Sequence, residues 1–469
     1  MKHVIRFVNF GALMNRRRFV TKVLGMASVL CSSKALAKIE FTWPSDSAVG
    51  SIQKQTDELV DALRRGLVVN CRPGVFVINN PIKMDVKDLD IRGSQGSEKT
   101  ELHFLHADQG GLAFRKATNI NISDVHLYWK PVDKKARHHG GAGLMLVNST
   151  RISILRSSVH GAPGAGFHFN KCNHVNAVEL FVENTLGDGI HFQNTSNCHG
   201  YRLTTSHTGD DGVAIVDYAK YPISHGFYLE KIRVVGSKAR GIAFVGARDG
   251  VLKDFFIDKT ATNGLHIEQD RYYKTRFPEN IQVFSGVIDG TGNYKPLRSN
   301  KFGINVLRAR NITLKNVDVM NSLKFACLIK DSQNIALTGC NFTHSRGASL
   351  YIQDAFNVQL NNIYLTGTYT PFFQAIGVSG LSAKNLTILD QTNVTKVTAI
   401  VLYRTKTNLL KNIHITDLVL EAEVIGDKKE FIIKASGVRD VSIDYISQHQ
   451  VNVLGGGRNL SLSKKQDSF

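Results

Sequence analysis

The chain has 469 residues but only six cysteines and nine prolines. Cysteine this sparse excludes a small scaffold held by disulfides. The scarcity of proline, beside forty glycines, excludes a collagenous or low-complexity chain. No stretch stays apolar for the roughly 20 residues that a membrane-spanning helix needs. Acidic residues are under-represented too, 39 against 58 lysines and arginines. Beyond residue 66 helical periodicity is missing, which excludes an α/β domain with helices between its strands. Length alone suggests two or three domains. That prior fails for repeat proteins, which grow in one dimension.

The N-terminal segment reads as an address rather than as fold. Residues 14–37, MNRRRFVTKVLGMASVLCSSKALA, place Arg16, Arg17 and Arg18 before Phe19 and an apolar run from Val23 to Leu30. Ala35-Leu36-Ala37 supplies a small-x-small cleavage site. The segment resembles a twin-arginine export signal, which implies a periplasmic or secreted protein and the twin-arginine translocase as a partner during export. Met14 is an alternative start. Seven of the 58 basic residues and none of the acidic ones lie in residues 1–37, so residues 38–469 carry a formal +12. Outside the cytoplasm such a charge suits an acidic polysaccharide better than nucleic acid. Five cysteines remain: Cys71, Cys172, Cys198, Cys327 and Cys340. None has metal-site spacing, and cargo that folds before export keeps its thiols reduced. Cys172 and Cys198 are expected to stack.

What the chain has in abundance is repetition. Residues 52–65 carry Leu59, Val60 and Leu63 at helical spacing, stopped by Gly66, so a cap helix is expected over 52–66. From residue 118 onward a phrase recurs: Asn, Asp or a small residue, an aliphatic, then alternation. NINISDVHL (119), RISILRSSV (151), NITLKNVDV (311), NIALTGCNF (334) and NVQLNNIYL (357) are examples. A second phrase, a small residue followed by apolar-x-apolar, precedes many of them: GAGFHFN (164), GDGIHFQ (187), DDGVAIV (210), ARGIAFV (239) and TNGLHIE (262). Most steps are about 23–32 residues, with two or three short strands in each, the pattern of a repeat solenoid. It is the pattern of a single-stranded parallel β-helix, all-β, with about a dozen coils in one domain spanning 38–469. Stacked coils bury their inward aliphatics in one column, and corner asparagines tolerate left-handed turns and ladder with their neighbours. Insertions at 129–140, 217–224 and 269–279 are expected to wall a groove.

One pair of phrases breaks the pattern chemically. Asp188-Gly189-Ile190-His191-Phe192 and Asp211-Gly212-Val213-Ala214-Ile215 stand one coil apart, with Asp210 beside Asp211. Coil registry should bring the three carboxylates together, and their mutual field should raise at least one pKa. Hydrolysis of a glycosidic bond needs such a set: one protonated carboxyl for the leaving oxygen and ionised ones to activate water. A Ca²⁺ site, or plain Asp-Gly turns, is the other reading of these residues. The strand pattern turns His168, His191 and His266 outward beside them. Arg240, Arg271 and Lys274 are candidates to hold an acidic sugar, and Tyr272 to stack on a pyranose face.

TGDDGVAI resembles the Asp-Asp-x-Val-Ala-Ile element of family 28 glycoside hydrolases, the polygalacturonases, in the pectin-lyase-like right-handed β-helix superfamily. Asp188-Gly189, with Asn184-Thr185 upstream, falls where that family has its Asn-Thr-Asp-Gly element. The three-Asp arrangement of family 87 α-1,3-glucanases is similar. Both resemblances imply an inverting hydrolase without cofactor, with Asp211 or Asp210 as general acid and the remaining Asp and Asp188 activating water. In family 28 a Gly-His-Gly element follows one coil later, whereas Arg240-Gly241 stands at that phase here. The segment from Val441-Ser442-Ile443-Asp444 through Gln450-Val451-Asn452-Val453 resembles exported β-helix proteins of colanic acid biosynthesis, which implies a role in making or trimming an exopolysaccharide. Two alternatives remain. One is a lyase or uronate epimerase, with Ca²⁺ on Asp188, Asp210 and Asp211 and Arg240 or Lys274 as base. The other is a non-catalytic exopolysaccharide-binding protein.

Overall fold

The computed structural model describes residues 39–130, 140–292, 301–367, 369–392, 394–405, 407–422 and 429–465. The expected export signal, and residues 131–139 of the first expected insertion, lie outside these. The remainder is a parallel β-helix whose 36 strands join in one sheet. Fourteen successive parallel pairings link fifteen first-position strands from Ile82–Asp85 to Gln450–Lys464, somewhat more than the dozen coils expected.

The repeat phrase explains this architecture residue by residue. Phe167, Ile190 and Val213 are register partners on successive coils, so each coil carries its aliphatic directly over the last. Ile190, Val213, Ile242, Leu265 and Ile304 are fully buried in one such column. Burying each of these stabilises by about 1.5–3 kcal/mol, and only stacking achieves it. Coils near residues 167–206 have three strands, as in Phe167–Asn170, Asn173–Val178 and Phe181–Glu183. From Phe227–Val235 onward the second and third fuse, as in Arg310–Met320. The bend survives inside the fused strands through left-handed residues such as Asn316, φ 53°.

The glycine of the second phrase has a steric cause. A Cβ on Gly189 would lie 2.5 Å from the Gly212 carbonyl oxygen and 2.6 Å from Thr205 Cγ2. The same holds at Gly212, whose Cβ would meet Val234 Cγ1 at 2.4 Å. Close backbone approach between coils therefore requires glycine there. Nothing in that packing requires an aspartate before it.

The N-terminal end is covered by the helix Ile52–Arg64, slightly shorter than expected. Ser51 caps it by accepting from the Lys54 N–H, and Gly66, φ +66°, turns the chain out of it. Leu59, Ala62 and Leu63 are buried, and Trp43 Nε1 donates to the Gln55 carbonyl at 2.8 Å. The five cysteines are free and buried. Cys172 and Cys198 do not stack in register: Cys172 lies level with Thr195, and Cys198 pairs with Val175. The step from Cys172 to Cys198 is longer than the coil that carries Val175 to Cys198, so the two thiols fall out of phase.

Candidate active site

The second-phrase glycines fix what stands before them. Gly189 N–H donates to the Asp211 carbonyl, Gly212 N–H to that of Arg240, and Gly241 N–H to that of Asn263. Asp188, Asp211, Arg240 and Asn263 thus form one column on successive coils. Asp210 precedes Asp211 in the same turn. One carboxylate oxygen from each of Asp188, Asp210 and Asp211 lies within 4.8 Å of the other two. The structure brings together the three aspartates that the one-coil interval singled out.

An ionised aspartate can only accept hydrogen bonds, so the column must supply donors. Asp188 Oδ1 accepts the Asp211 backbone N–H at 3.0 Å, and Asp188 Oδ2 meets His191 Nδ1 at 2.7 Å. Asp211 Oδ1 accepts both the backbone N–H and the Nε–H of Arg240, at 2.9 and 2.7 Å. Arg240 occupies the place one coil after Asp211, as the phase predicts, but its guanidinium is turned onto the carboxylate.

The two environments divide the carboxylates. Burial pushes Asp188 upward, but the His191 imidazole, the Arg240 charge and the Asp211 N–H outweigh it and hold the group below the ordinary carboxylate value. Burial also pushes Asp211 upward. There Arg240 pulls back only in part, Asp210 and Asp188 add repulsion, and the carboxyl reaches about 7. One member of the cluster therefore retains a proton near neutrality while another is ionised.

The outward histidines differ from expectation in exposure. His168 and His266 are buried at 9% and 4% exposure, because neighbouring coils and loops cover them. His168 stacks on His191 with ring centroids 4.8 Å apart, and burial together with the His191 charge pushes it down to about 3. His266 sits in a network that the repeat did not reveal. Its Nδ1 accepts from the amides of Asn263 and Asn305, at 2.8 and 3.0 Å, and its Nε2 donates to Glu268 at 3.1 Å. Arg308 Nη2 closes the network on Glu268 at 2.5 Å. His266 is thus a fixed support within the column rather than an open sugar contact.

Two expected insertions meet each other. Tyr218 and Thr275 form an antiparallel bridge, Ala219 N–H donates to the Lys274 carbonyl at 3.0 Å, and Arg276 pairs with the buried Asp217 at 2.7 Å. Burial raises the Tyr218 phenol, and Asp188, Tyr273 and Asp270 act on it in the same direction, so the joined loops reach the aspartates' surroundings. Arg271, Tyr272 and Lys274 stand exposed on the outer loop, Tyr272 at 85%. Tyr218, Glu268 and Arg308 were not singled out by sequence. Glu268 and Arg308 carried a signal in retrospect, since Glu268 ends the phrase TNGLHIE and Arg308 follows Leu307, its register partner one coil on.

A model described as right handed beta helix region matches residues 302–466. No curated protein sequence matches the chain. Among solved structures, the catalytic domain of a family 87 α-1,3-glucanase in complex with tetrasaccharides is similar. Its TM-score is 0.55 at 15% identity, over 79% of this chain and 67% of that one. The pre-mature gene product 12 of bacteriophage phi29 has a TM-score of 0.50 at 11% identity, over 88% of this chain and 55% of that one. An Azotobacter vinelandii mannuronan C-5 epimerase A-module has a TM-score of 0.38 at 11% identity, over 89% and 95%. The family model and the glucanase likeness define the class: a right-handed parallel β-helix of the kind found in family 87 glucanases.

Proposed function

We propose that the chain is an exported, polysaccharide-acting glycoside hydrolase with its site at Asp188, Asp210 and Asp211. The observation that carries this reading is the split between two stacked carboxylates, one held ionised and one retaining a proton near pH 7. Asp188, oriented by His191, is the base that activates water. The acid is the adjacent pair: Asp211 holds the proton at the buried end, and either it or the less buried Asp210 presents it to the leaving oxygen. The family 87 structure supports a sugar ligand, since it holds tetrasaccharides in an aspartate-to-alanine variant. Arg271, Lys274 and Tyr272 are proposed as outer contacts to an acidic sugar, and the +12 balance of residues 38–469 favours such a polymer. The twin-arginine-like segment supports export, and trimming of an exopolysaccharide is the role proposed for the activity.

The state of Arg240 argues against its own use as a lyase base, which leaves Lys274 for that reading. A lyase base must lose a proton, whereas burial opposed by Asp211, Asp210 and Asp188 leaves this guanidinium above even its ordinary value. Arg240 and His191 each engage one oxygen, of Asp211 and of Asp188, and so would compete with a Ca²⁺ ion there. Inversion rests on the resemblance to families 28 and 87. One oxygen from each aspartate lies within 4.8 Å of the others, nearer the roughly 5–5.5 Å of retaining pairs than the roughly 6.5–9.5 Å of most inverting ones, so the NMR readout decides between them. A water shared by two carboxylates fits the closer set. The test is incubation with a panel of acidic and neutral polysaccharides, reading both new reducing ends and the ultraviolet absorbance of unsaturated ends. Reducing ends alone, with the first-formed anomer inverted by NMR, are expected. Unsaturated ends would replace the hydrolase with a lyase, and no product from any polymer would leave a binding protein.

A further inference from the structure

A second constellation lies on a different strand column, away from the aspartates. His126, Ser158 and Phe181 are register partners on three successive coils, and so are Tyr128, His160 and Glu183 two residues further along each strand. Alternation puts both sets on the same outer face. The side chains then link in one chain of hydrogen bonds. Ser158 Oγ lies 2.8 Å from His160 Nε2, and His160 Nδ1 lies 3.0 Å from Glu183 Oε1. His126 Nδ1 is 2.7 Å from Ser158 Oγ. One set of proton positions satisfies all of them. His160 Nδ1–H donates to Glu183, which leaves Nε2 as an acceptor for the Ser158 hydroxyl, and His126 Nδ1–H donates to Ser158 Oγ. Burial, with Lys99 and His160 nearby, lowers His126 and keeps it neutral. The His160 ring is held in place by stacking on Tyr128 at 4.3 Å.

We infer that Ser158, His160 and Glu183 form a nucleophile, base and orienting carboxylate for acyl transfer, a second catalytic site on the same solenoid. The geometry meets the requirement that the nucleophile bonds the base and the base bonds a third group that fixes its tautomer. Ser158 and His160 line an open cavity of about 370 Å³, with Lys99, His126, Tyr128 and Arg156 around it. That volume takes a small acyl group and part of the alcohol that bears it. Arg156 is already engaged by Asp124, at 2.7 and 2.8 Å, so the exposed Lys99 is the cation left for a developing oxyanion. In the acylation step Ser158 Oγ attacks the ester carbonyl carbon while its proton passes to His160 Nε2. The carbon–oxygen bond to the alcohol then breaks, and His160 protonates the departing oxygen. Water, deprotonated by His160, next attacks the acyl-serine carbonyl carbon; the bond to Ser158 Oγ breaks, His160 returns its proton to Oγ, and the acid leaves. The substrate class is a small acyl ester. That its alcohol is a sugar hydroxyl rests on the proposed function.

The test uses the intact protein. Hydrolysis of p-nitrophenyl acetate and covalent labelling by a fluorophosphonate, located by peptide mass spectrometry, are the two readouts. Labelling at Ser158 is expected, with hydrolysis lost in S158A and E183Q and kept in D188N. S158A must still unfold in one cooperative melt, at a modestly lower temperature because the hydroxyl's bonds to two histidines are lost. An unlabelled Ser158 in the folded protein, or wild-type hydrolysis by S158A, overturns the proposal whatever the polysaccharide panel shows. Release of acid from an O-acylated polysaccharide, absent in S158A, then identifies the alcohol as a sugar.

Discussion

Two columns of this solenoid stack like side chains one coil apart, with opposite consequences. On one corner Asn311 donates its amide to Asn280, Asn334 to Asn311 and Asn357 to Asn334, each at 2.9 Å. All four have φ between 53° and 57°. An amide carries both a donor and an acceptor, so each one satisfies the next without outside help. In the other column Asp188 lies under Asp211, and an ionised carboxylate has no donor to offer. His191, Arg240 and backbone N–H groups supply all the donors there, and Asp211 still ends near neutral pKa. The amide column is a device for stability. The carboxylate column is a local conflict retained in an otherwise self-consistent repeat, as expected of a functional site.

The sharpest way to break the comparison is to convert one column into the other. D211N keeps the side-chain shape and the hydrogen bond from the Arg240 N–H but removes the proton donor. Glycosidase activity should fall by roughly 10²–10⁴-fold, and D188N should do the same through loss of the base. On an aryl glycoside with a strongly acidic leaving group, the acid variant should recover most of that loss and the base variant none, and applying this to D210N and D211N assigns the acid. The melting temperature of D211N should not fall with its activity. Wild-type activity of D211N on the polysaccharide would remove the site.

Next in size is the pH response. Asp211 is raised in the folded state from 3.8 to about 7. The native state then holds more protons than the unfolded one between these values, so this group's stability contribution, full below pH 4, is lost as pH rises toward 7. The wild type should therefore lose stability relative to D211N across that interval, by up to about 1.4 kcal/mol per pH unit, and run parallel to it above pH 7. Chemical denaturation of both proteins at several pH values measures this. The same carboxyl should set the alkaline limb of activity near 7, while Asp188, held below 3.8, places the acid limb beneath that value.

R240A tests what holds the conflict together. It strips Asp211 of its charge partner, leaving a buried carboxylate to be protonated or repelled. A loss of about 3 kcal/mol is expected at pH 8, where the pair is charged, and less at pH 5. R240K should restore only part of it, because the backbone-side Nε–H geometry belongs to arginine.

The readable part of the site was the part that obeys the coil. The interval from Asp188 to Asp211 is one period, so the two stack, and the phase set Arg240 above them. The glycines after them marked that phase, because only close coil contact requires them. His191 was also legible as an outward strand residue, though not as the partner of Asp188. What escaped lies where the period breaks. Tyr218 meets Thr275 through two insertions whose lengths carry no registry, and Arg276 reaches Asp217 across 59 residues. His266 pairs with Glu268 two residues on, but Asn305 arrives from a coil stretched to 39 residues, so its place beside His266 could not be counted out. The burial of His168 and His266 escaped for a related reason. Alternation tells which way a side chain leaves the strand, not what the neighbouring coils lay over it.

The smallest expected effect puts a carboxylate where the fold chose an amide. Asn334 is exposed and sits mid-ladder, donating to Asn311 and accepting from Asn357. N334D keeps the left-handed turn, which aspartate tolerates, and still accepts from Asn357, but it loses the donor toward Asn311. The cost should be about 1 kcal/mol at pH 7. It should shrink below the ordinary carboxylate range, where the protonated acid can donate again. No change in glycosidase activity is expected, because the corner lies on a different column from the aspartates. Paired with D211N, it separates stacking from chemistry: the same pair of side chains is exchanged in opposite directions, with stability falling at one site and catalysis falling at the other.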